Sequence, residues 1–313
     1  MPRPKRKSSL PPTYHDRSKL EATANCPYAA AHAKDIPIGI LGQVGSEDHR
    51  IIKEAWEYCE GDSQAAVDYL LQEIPKARPD LQPQVITSLR HFARRMKKFD
   101  PWRIVAVEKQ YSTIFFPATQ TAGPVIITMA VDLLIAGRDE TSLHVHDYKT
   151  GWKRYTNTIA YEAYQTCHYA YVLLKEMPDV QEIHFWYDQT RHDTKPGYAK
   201  FTRDNMEDMA GRIGSAIQYV GSDVAWPEPD KCAWCPVTAE CPHVVAEDRE
   251  FNSDRPAYLD QLIALNARTK AMSATMNAYV KQHGRIEGNN GNIYGDEGRK
   301  KIINKVFQEK EKP

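Results

Sequence analysis

Two stretches in the middle of the chain, PVIITMAVDLLIAG at residues 124–137 and TSLHVHDYKTG at residues 141–151, decide the predicted fold. Both are rich in β-branched residues and are broken by Gly, Pro and Asp, which is typical of strands. Asp132 interrupts the apolar run of the first, and Asp147 with Lys149 ends the second. Side chains alternate along a strand, so Asp147 and Lys149 share a face. The three charged groups can therefore converge at one sheet edge.

Two carboxylates beside an ammonium group suit a hard divalent cation. Mg²⁺ is typically bound by one or two carboxylates, carbonyl oxygens, waters and substrate phosphates. Such an ion lowers the pKa of water, and a nearby lysine stabilises charge on a phosphate. The alternative is a surface ion pair between Asp147 and Lys149, which would be common and weak. Asp132 favours the metal site, because a carboxylate among apolar neighbours costs several kcal/mol, roughly, to bury unless it is paired or metal-bound.

Helical periodicity dominates the chain before this strand pair, and mixed elements follow it. Upstream, apolar spacing and N-cap residues predict helices from Ser18 to about Cys26, over 46–59, from Asp62 to Leu71 and from about Pro83 to Phe99. Downstream, the patterns predict strands at 180–189 and 196–202 and helices over 155–176, 203–220 and about 256–283. The predicted fold class is α/β, with a helical insertion near the front.

Composition divides the chain into three predicted parts. Residues 1–15, rich in Pro and Lys/Arg, are predicted to be a flexible basic arm. Residues 16–283 are predicted to form a single domain, with a helical part at about 16–100, a core at about 101–222, a cysteine segment at 226–243 and the C-terminal helix. Residues 284–313 mix Gly/Asn turns with basic residues and are predicted to be a turn-rich basic tail.

The overall charge and the apolar content limit the classes of partner. The 313 residues include 41 Lys and Arg and 41 Asp and Glu, so binding to nucleic acid needs local basic patches. No apolar run approaches the ~20 residues of a membrane span. The basic N-terminus lacks the apolar stretch of a secretory signal. We therefore expect a cytoplasmic protein with no membrane partner, in which six cysteines favour metal or redox chemistry over disulfides.

Three cysteines cluster in KCAWCPVTAECPH at residues 231–243, as Cys232, Cys235 and Cys241. Metal and cluster sites built from thiolates usually have four ligands, so a fourth is expected elsewhere in the chain. Cys59 and Cys167 fall within helical patterns and are interpreted as buried thiols.

The order of these motifs resembles that of a known family. A strand acid (Asp132), then DYKTG at 147–151, then a helix carrying Gln165 and Tyr169 follow one another as in the PD-(D/E)XK nuclease superfamily, specifically its RecB-like branch. His49, in GSEDHRIIKEAW, matches the place of a histidine on an early helix of that branch. The resemblance implies a restriction-endonuclease-like core with a mixed central sheet flanked by helices. Within this branch, the chain resembles the CRISPR-associated four-cysteine nucleases and the nuclease domain of AddB.

The resemblance also implies roles for individual residues. The implied metal ligands, for Mg²⁺ or Mn²⁺, are His49, Asp132, Asp147 and the carbonyl of Tyr148. Lys149 is the implied catalytic lysine, and Gln165 and Tyr169 are implied to help position DNA. Glu108, in VAVEKQYS, matches an upstream strand acid of the branch, and its role is left open between the site and a structural hydrogen bond.

Iron–sulfur members of the branch have one cysteine before the core and three after it, spaced C-x₂-C-x₅-C. Cys232, Cys235 and Cys241 have this spacing, and Cys26, in ANCPYAA, has the matching Cys-Pro context. The resemblance therefore implies a [4Fe–4S] cluster that staples the N-terminal segment to the cysteine segment. Tetrahedral zinc is the alternative, since four thiolates also suit Zn²⁺.

Together these features predict a metal-dependent DNA exonuclease that acts on single-stranded or frayed ends. We expect such an enzyme to serve recombination, end processing or DNA integration in a phage or bacterium. A recombination or integration protein is the candidate partner. The alternatives are a catalytically silent DNA-binding or scaffold subunit with a nuclease fold, an endonuclease, or an RNA-directed nuclease. Cleavage polarity and oligomeric state are left open.

Overall fold

The computed structural model describes most of the chain up to residue 242 and short stretches beyond it. The described residues are 10–33, 39–59, 61–96, 103–192, 195–226, 232 and 235–242, followed by pieces between 256 and 275 and at 286–287, 292–294 and 302–304. The chain divides into two units, Met1–Cys241 and Pro242–Pro313. The C-terminal helix, expected within the main domain, thus belongs to the second unit.

A six-stranded mixed sheet is the centre of the first unit. Its strands are β1 (Thr13–Asp16), β2 (Ile104–Phe116), β3 (Val125–Ala136), β4 (Ser142–Lys149), β5 (Glu182–Gln189) and β6 (Gly197–Thr202). They run in the order β1-β3-β4-β5-β6, and β2 also pairs with β3. β1 lies parallel to β3, β4 lies parallel to β5, and the other pairs are antiparallel. The predicted α/β class with a mixed central sheet is confirmed.

Eight helices are described in the first unit. They are α1 (Arg17–Asn25), α2 (Pro27–His32), α3 (Ile40–Cys59), α4 (Ser63–Glu73), α5 (Gln82–Met96), α6 (Asn157–Glu162), α7 (Tyr164–Glu176) and α8 (Met206–Gln218). Short 3-10 turns lie at Ile74–Lys76, Arg203–Asn205 and Thr238–Glu240. Asp62 caps α4 as predicted, its side chain accepting from two backbone N–H groups.

Two hydrophobic cores lie on the two faces of the sheet. α7 is buried from Gln165 to Leu174 and packs with Val145 and Phe185. The other core joins α3, α4 and α5 to Leu133 and Tyr148. Because β4 alternates between the cores, Val145 belongs to one and Tyr148 to the other. The ends of β3 and β4 are therefore fixed from both sides.

Several helix boundaries differ from the prediction. Asp16, not Ser18, caps α1, because its carboxylate accepts from the backbone N–H of Lys19 at 2.8 Å. The helix predicted over 155–176 is broken at Ala163, which has an extended backbone. The Thr166 hydroxyl donates to the carbonyl oxygen of Ala160 or Ala163, 2.6 and 2.9 Å away, and stabilises the break. α3 begins at Ile40, earlier than expected.

The predicted basic arm also changes at its end. Thr13–Asp16 form β1, in register with Val125 to Thr128 of β3, so the flexible-arm prediction is wrong for residues 13–15. Short strands with β-branched or aromatic residues, such as TYHD, can extend a sheet edge in this way. Residues 1–9 lie outside the described residues.

The second unit is described only in pieces. Its described residues between 256 and 275 are helical, in agreement with the predicted helix, whereas 276–283 lie outside the described residues. The tail predicted as turns forms a three-stranded antiparallel sheet, β7 (Ile286–Glu287), β8 (Asn292–Tyr294) and β9 (Ile302–Asn304). Among the helices of the described residues, none combines the length and the apolar character that crossing a bilayer requires.

Candidate active site

Three side chains from three elements meet beside the end of β4. His49 of α3, Glu108 of β2 and Asp132 of β3 each offer a ligand atom, and these atoms lie within 4.8 Å of one another. Nδ1 of His49 is 3.4 Å from Oε1 of Glu108 and 3.7 Å from Oδ2 of Asp132. We call these residues the metal-ligand group, because imidazole and carboxylate together suit a divalent cation.

His49 is positioned by the buried face of α3. Ile52 and Trp56 follow it at helical spacing and are buried in the core shared with β4. Trp56 donates its indole N–H to the Tyr148 hydroxyl at 3.0 Å, which ties α3 to the end of β4. Nε2 of His49 then lies 3.1 Å from the carbonyl oxygen of Tyr148, the backbone atom expected beside the metal.

Glu108 stands in the middle of a strand with a left-handed backbone. Its φ is +44°. The flanking ladder pairs Val107–Leu133 and Lys109–Val131 leave Glu108 opposite Asp132. A non-glycine residue in this region costs about 1–3 kcal/mol and persists where the surrounding structure enforces it. The strain accompanies a carboxylate that faces His49, which favours a role for Glu108 in the site.

Asp132 is 9% exposed and hydrogen-bonded to the end of β4. Its Oδ2 accepts the backbone N–H of Tyr148 at 2.7 Å. The same residue therefore offers its N–H to Asp132 and its carbonyl oxygen to His49. The sequence prediction that Asp132 is a metal ligand stays a prediction, and its burial and position beside His49 are compatible with it.

Two members of the metal-ligand group have raised pKa values, which favours protons at the positions that a cation would occupy. Burial tends to lower the pKa of His49, but the hydrogen bond to Glu108 and the charges of Asp132 and Asp147 raise it to about 9. Burial and the charge of Asp147 raise the pKa of Asp132 to about 7. Metal ligands must be deprotonated, so a bound divalent ion takes the place of these protons. The donor set thus fits such an ion.

A second cluster lies on the α7 side of β4 and contains the predicted lysine. Nζ of Lys149 is 2.5 Å from Oδ2 of Asp147 and donates to Oε1 of Gln165 at 2.9 Å. The Gln165 amide donates to Oδ1 of Asp147 at 2.5 Å. Tyr187, the ladder partner of Asp147 on β5, donates its hydroxyl to Oε1 of Gln165 at 3.3 Å. We call these four residues the lysine network.

The lysine network keeps Lys149 charged. Burial tends to lower the pKa of Lys149, but the charge of Asp147 outweighs it and raises that pKa above its ordinary value. The ammonium can therefore donate hydrogen bonds and offset negative charge at neutral pH, whereas it cannot act as a base. Gln165, expected to contact DNA, is 3% exposed and bound to Asp147 and Lys149.

Tyr169 lies one helical turn after Gln165, and its side chain is also buried inside the protein. Its hydroxyl donates to the carbonyl oxygen of Ala130 on β3 at 2.6 Å, and its ring is buried with the Arg17 guanidinium 5.9 Å from the centroid. The predicted DNA contacts of Gln165 and Tyr169 stay a prediction, and the contacts described here favour a positioning role for both.

An open polar cleft leads to the metal-ligand group. It measures about 630 Å³ and is lined by Gly45, Ser46, His49, Arg50, Lys53 and Glu108. Arg50 is paired with Glu47 and Glu54, and Lys53 lies 3.8 Å from Glu57. The group is thus reachable by a solvated ion and by an anionic substrate.

The four predicted cluster cysteines are half-buried, whereas Cys59 and Cys167 are buried as expected. Two contacts join the segment after Cys26 to the cysteine segment and its approach. Tyr28 donates its backbone N–H to Val224 at 2.9 Å, and its hydroxyl donates to the carbonyl of Glu240 at 2.8 Å, next to Cys241. Within the segment, the Thr238 hydroxyl lies 2.9 and 2.8 Å from the carbonyls of Cys232 and Cys235.

Sequence reasoning left Glu108 open and missed Tyr187. Tyr187 lies in a strand that follows Lys149 by almost forty residues, and only the parallel pairing of β4 with β5 brings it to Asp147. The local pattern FWYDQ predicts a strand but carries no signal for a contact with Gln165.

A mixed sheet that gathers strand carboxylates, a histidine and a charged lysine at one edge defines a metal-dependent hydrolase class. The model of the PD-(D/E)XK nuclease superfamily matches residues 17–242, and the chain belongs to this superfamily. The coarser prediction, a nuclease of this fold, is confirmed.

Solved structures similar to the chain include two that cover most of it. The crystal structure of SSO0001 is 11% identical, with a TM-score of 0.36, over 74% of this chain and 87% of that one. A protein assigned as an exonuclease, from Eubacterium rectale, is 11% identical with a TM-score of 0.38, over 72% of this chain and 87% of that one. No curated protein matches the chain.

Proposed function

We propose that this nuclease is a Mg²⁺- or Mn²⁺-dependent DNA exonuclease that acts on single-stranded or frayed ends. The observation that carries the proposal is the adjacency of the metal-ligand group to the lysine network across the end of β4. Asp147 is the link between them, because its charge raises the pKa of both His49 and Asp132 while its carboxylate pairs with Lys149.

His49, Glu108 and Asp132 would hold the ion, with Asp147 and the carbonyl of Tyr148 as further candidates. The bound ion would supply a water of lowered pKa and offset charge on the phosphate. Lys149, held by Asp147 and Gln165, would stabilise the charge that develops on the phosphate during hydrolysis. Gln165 and Tyr187 hold Lys149 and Asp147 in place.

Digestion of end-labelled DNA tests this function. The wild type should shorten a linear single strand with Mg²⁺ or Mn²⁺, and EDTA should stop it. Circular single-stranded DNA should resist, and RNA of the same sequence should be cut slowly. Asp132→Asn, which keeps its size and can still accept the Tyr148 N–H, should remove activity. Cutting of circles would make the chain an endonuclease, and binding without cleavage by the wild type would make it a silent subunit.

We also propose the RecB-like iron–sulfur branch, with a [4Fe–4S] cluster on Cys26, Cys232, Cys235 and Cys241. The hydrogen bonds of Tyr28 to Val224 and Glu240 support it, because they bring the segment after Cys26 beside Cys241. Anaerobically purified protein should be brown, and Cys232→Ser should lose the colour while Cys59→Ala keeps it. Colourless protein with one zinc per chain would contradict the cluster. Recombination, end processing and DNA integration are the uses that suit such an enzyme.

A further inference from the structure

Trp152 is a large aromatic side chain left in solvent close to Lys149. It is 63% exposed, and it stands in the loop that follows β4. Three residues of chain span at most about 11 Å, so the Cα of Trp152 lies within that distance of the Cα of Lys149. Lys153 and Arg154, which come next, are also exposed. A single exposed tryptophan is common on protein surfaces and needs no explanation in general. The contacts that Trp152 makes with the rest of the protein therefore decide how its exposure is interpreted.

The indole is backed on one side by a buried cation. The guanidinium of Arg191 lies 5.1 Å from the Trp152 ring, and Arg191 itself is 6% exposed. The His192 ring meets the indole edge-on at 6.2 Å, and its Nε2 lies 3.2 Å from the Trp152 carbonyl oxygen. Protein therefore supports one side of the indole, while most of the side chain stays open to solvent.

The loop beneath the indole is held from two directions. Nε of Arg191 donates to the carbonyl oxygen of Thr150. A Cβ at Gly45 would lie 2.9 Å from the Thr150 hydroxyl oxygen, so α3 passes close to the loop at this position. Such a fixed ring loses little conformational freedom when a ligand stacks on it.

We propose that Trp152 is a stacking platform for one nucleobase of a single-stranded substrate, next to the phosphate that is cleaved. The inference rests on the proposed nuclease function, and it adds that the site selects single-stranded over double-stranded DNA. Every base has a π-face, so stacking on tryptophan tolerates any sequence. The bases of a duplex are already stacked on one another, and this platform therefore favours single strands and frayed ends. Lys153 and Arg154 are placed to meet the flanking phosphates.

Binding measured without cleavage tests the platform. Fluorescence anisotropy with a labelled 20-nucleotide oligothymidylate in EDTA gives Kd for each variant. Trp152→Ala should bind about 5- to 150-fold more weakly, the range that loss of one stacked base predicts. Trp152→Phe should keep most of the affinity. Tyr58→Ala, which removes a 75% exposed ring at the end of α3, should match the wild type. Equal Kd values for Trp152→Ala and wild type would overturn the inference.

Oligomers with one abasic residue, moved along the strand, supply a readout that misfolding would not change. One abasic position should weaken wild-type binding as much as Trp152→Ala does, and Trp152→Ala should lose nothing further at that position. Equal losses at every position for both proteins would contradict the platform. If the wild type digests the strand with Mg²⁺ but Trp152→Ala binds normally, only the platform fails. If the wild type neither binds nor digests it, the proposed function fails as well.

Discussion

The metal-ligand group and the lysine network lie on the same sheet edge but are built in opposite ways. His49, Glu108 and Asp132 crowd around one point; the pKa values of His49 and Asp132 are raised, and His49 and Glu108 line an open cleft. In the lysine network, Asp147 and Lys149 neutralise one another and Gln165 bonds to both. On the proposed function an added cation would stabilise the metal-ligand group, whereas the charges of Asp147 and Lys149 already offset one another. Metal binding and stabilisation of the phosphate can then be tested by separate substitutions.

The largest expected effect tests the lysine network. Lys149→Ala should lower kcat by about 10²- to 10³-fold, the loss expected when one charged donor to the transition state is removed. Affinity for a single strand in EDTA should change little. Lys175→Ala, which removes an exposed lysine in the last turn of α7, is the matched control and should retain kcat. Equal kcat for Lys149→Ala and wild type in single-turnover digestion would remove the lysine from the reaction.

The effect of added metal on the free energy of unfolding tests the metal-ligand group. Mn²⁺ at about 100 times its Kd should stabilise the wild type by roughly 2.7 kcal/mol, because the ion binds the folded state alone. Thermal unfolding with and without Mn²⁺ measures the shift. His49→Ala should lose most of it, while Lys149→Ala should keep it. An equal shift in His49→Ala and wild type would place the ion elsewhere.

Glu108→Gln tests the contribution of one member of the metal-ligand group to metal affinity. The substitution keeps the size of the side chain and removes the charge of a proposed ligand. Mn²⁺ affinity should therefore fall by at least the roughly 10- to 100-fold that is lost when an outer-shell partner of a metal ligand is removed. Isothermal titration calorimetry measures the change. Glu57→Gln, a carboxylate near Lys53 that is 51% exposed, is the control. Unchanged affinity in Glu108→Gln would restrict Glu108 to a structural hydrogen bond.

The smallest expected effect concerns a support of the lysine network. Tyr187→Phe removes one hydrogen bond to Gln165, so the free energy of unfolding should fall by about 1 kcal/mol. The lysine stays paired with Asp147, and kcat should fall by less than about tenfold. Urea unfolding and digestion rates measure both, with Tyr161→Phe, an exposed ring, as the control. A loss of kcat as large as that of Lys149→Ala would show that Tyr187 takes part in the reaction.

The sequence predicted the strands that carry Asp132, Asp147 and Lys149, because their β-branched runs and bounding turns are local signals. It also predicted the helix over 46–59 that carries His49, since apolar spacing along a helix is a local signal. The extension of α3 to Ile40 was missed, because Gly42 and Gly45 disfavour helix and their neighbours do not reveal the packing against Thr150.

Other features depend on contacts that no local pattern encodes. The break at Ala163 carries neither glycine nor proline, and it is stabilised by the hydroxyl of Thr166. β1 forms only because the edge of β3 is available to TYHD. Gln165 and Tyr169 were placed on the correct helix, yet their burial follows from α7 lying wholly between β3, β5 and α8.

The left-handed backbone of Glu108 lowers the stability of the fold at a position whose carboxylate the proposed metal site uses. Glycine adopts this conformation freely, so Glu108→Gly should make the chain harder to unfold even as it deprives the site of a carboxylate. Selection for stability alone would favour glycine there, whereas the proposed metal site would favour the glutamate. On that proposal, the residue at this position would distinguish descendants that keep the activity from descendants that keep only the fold.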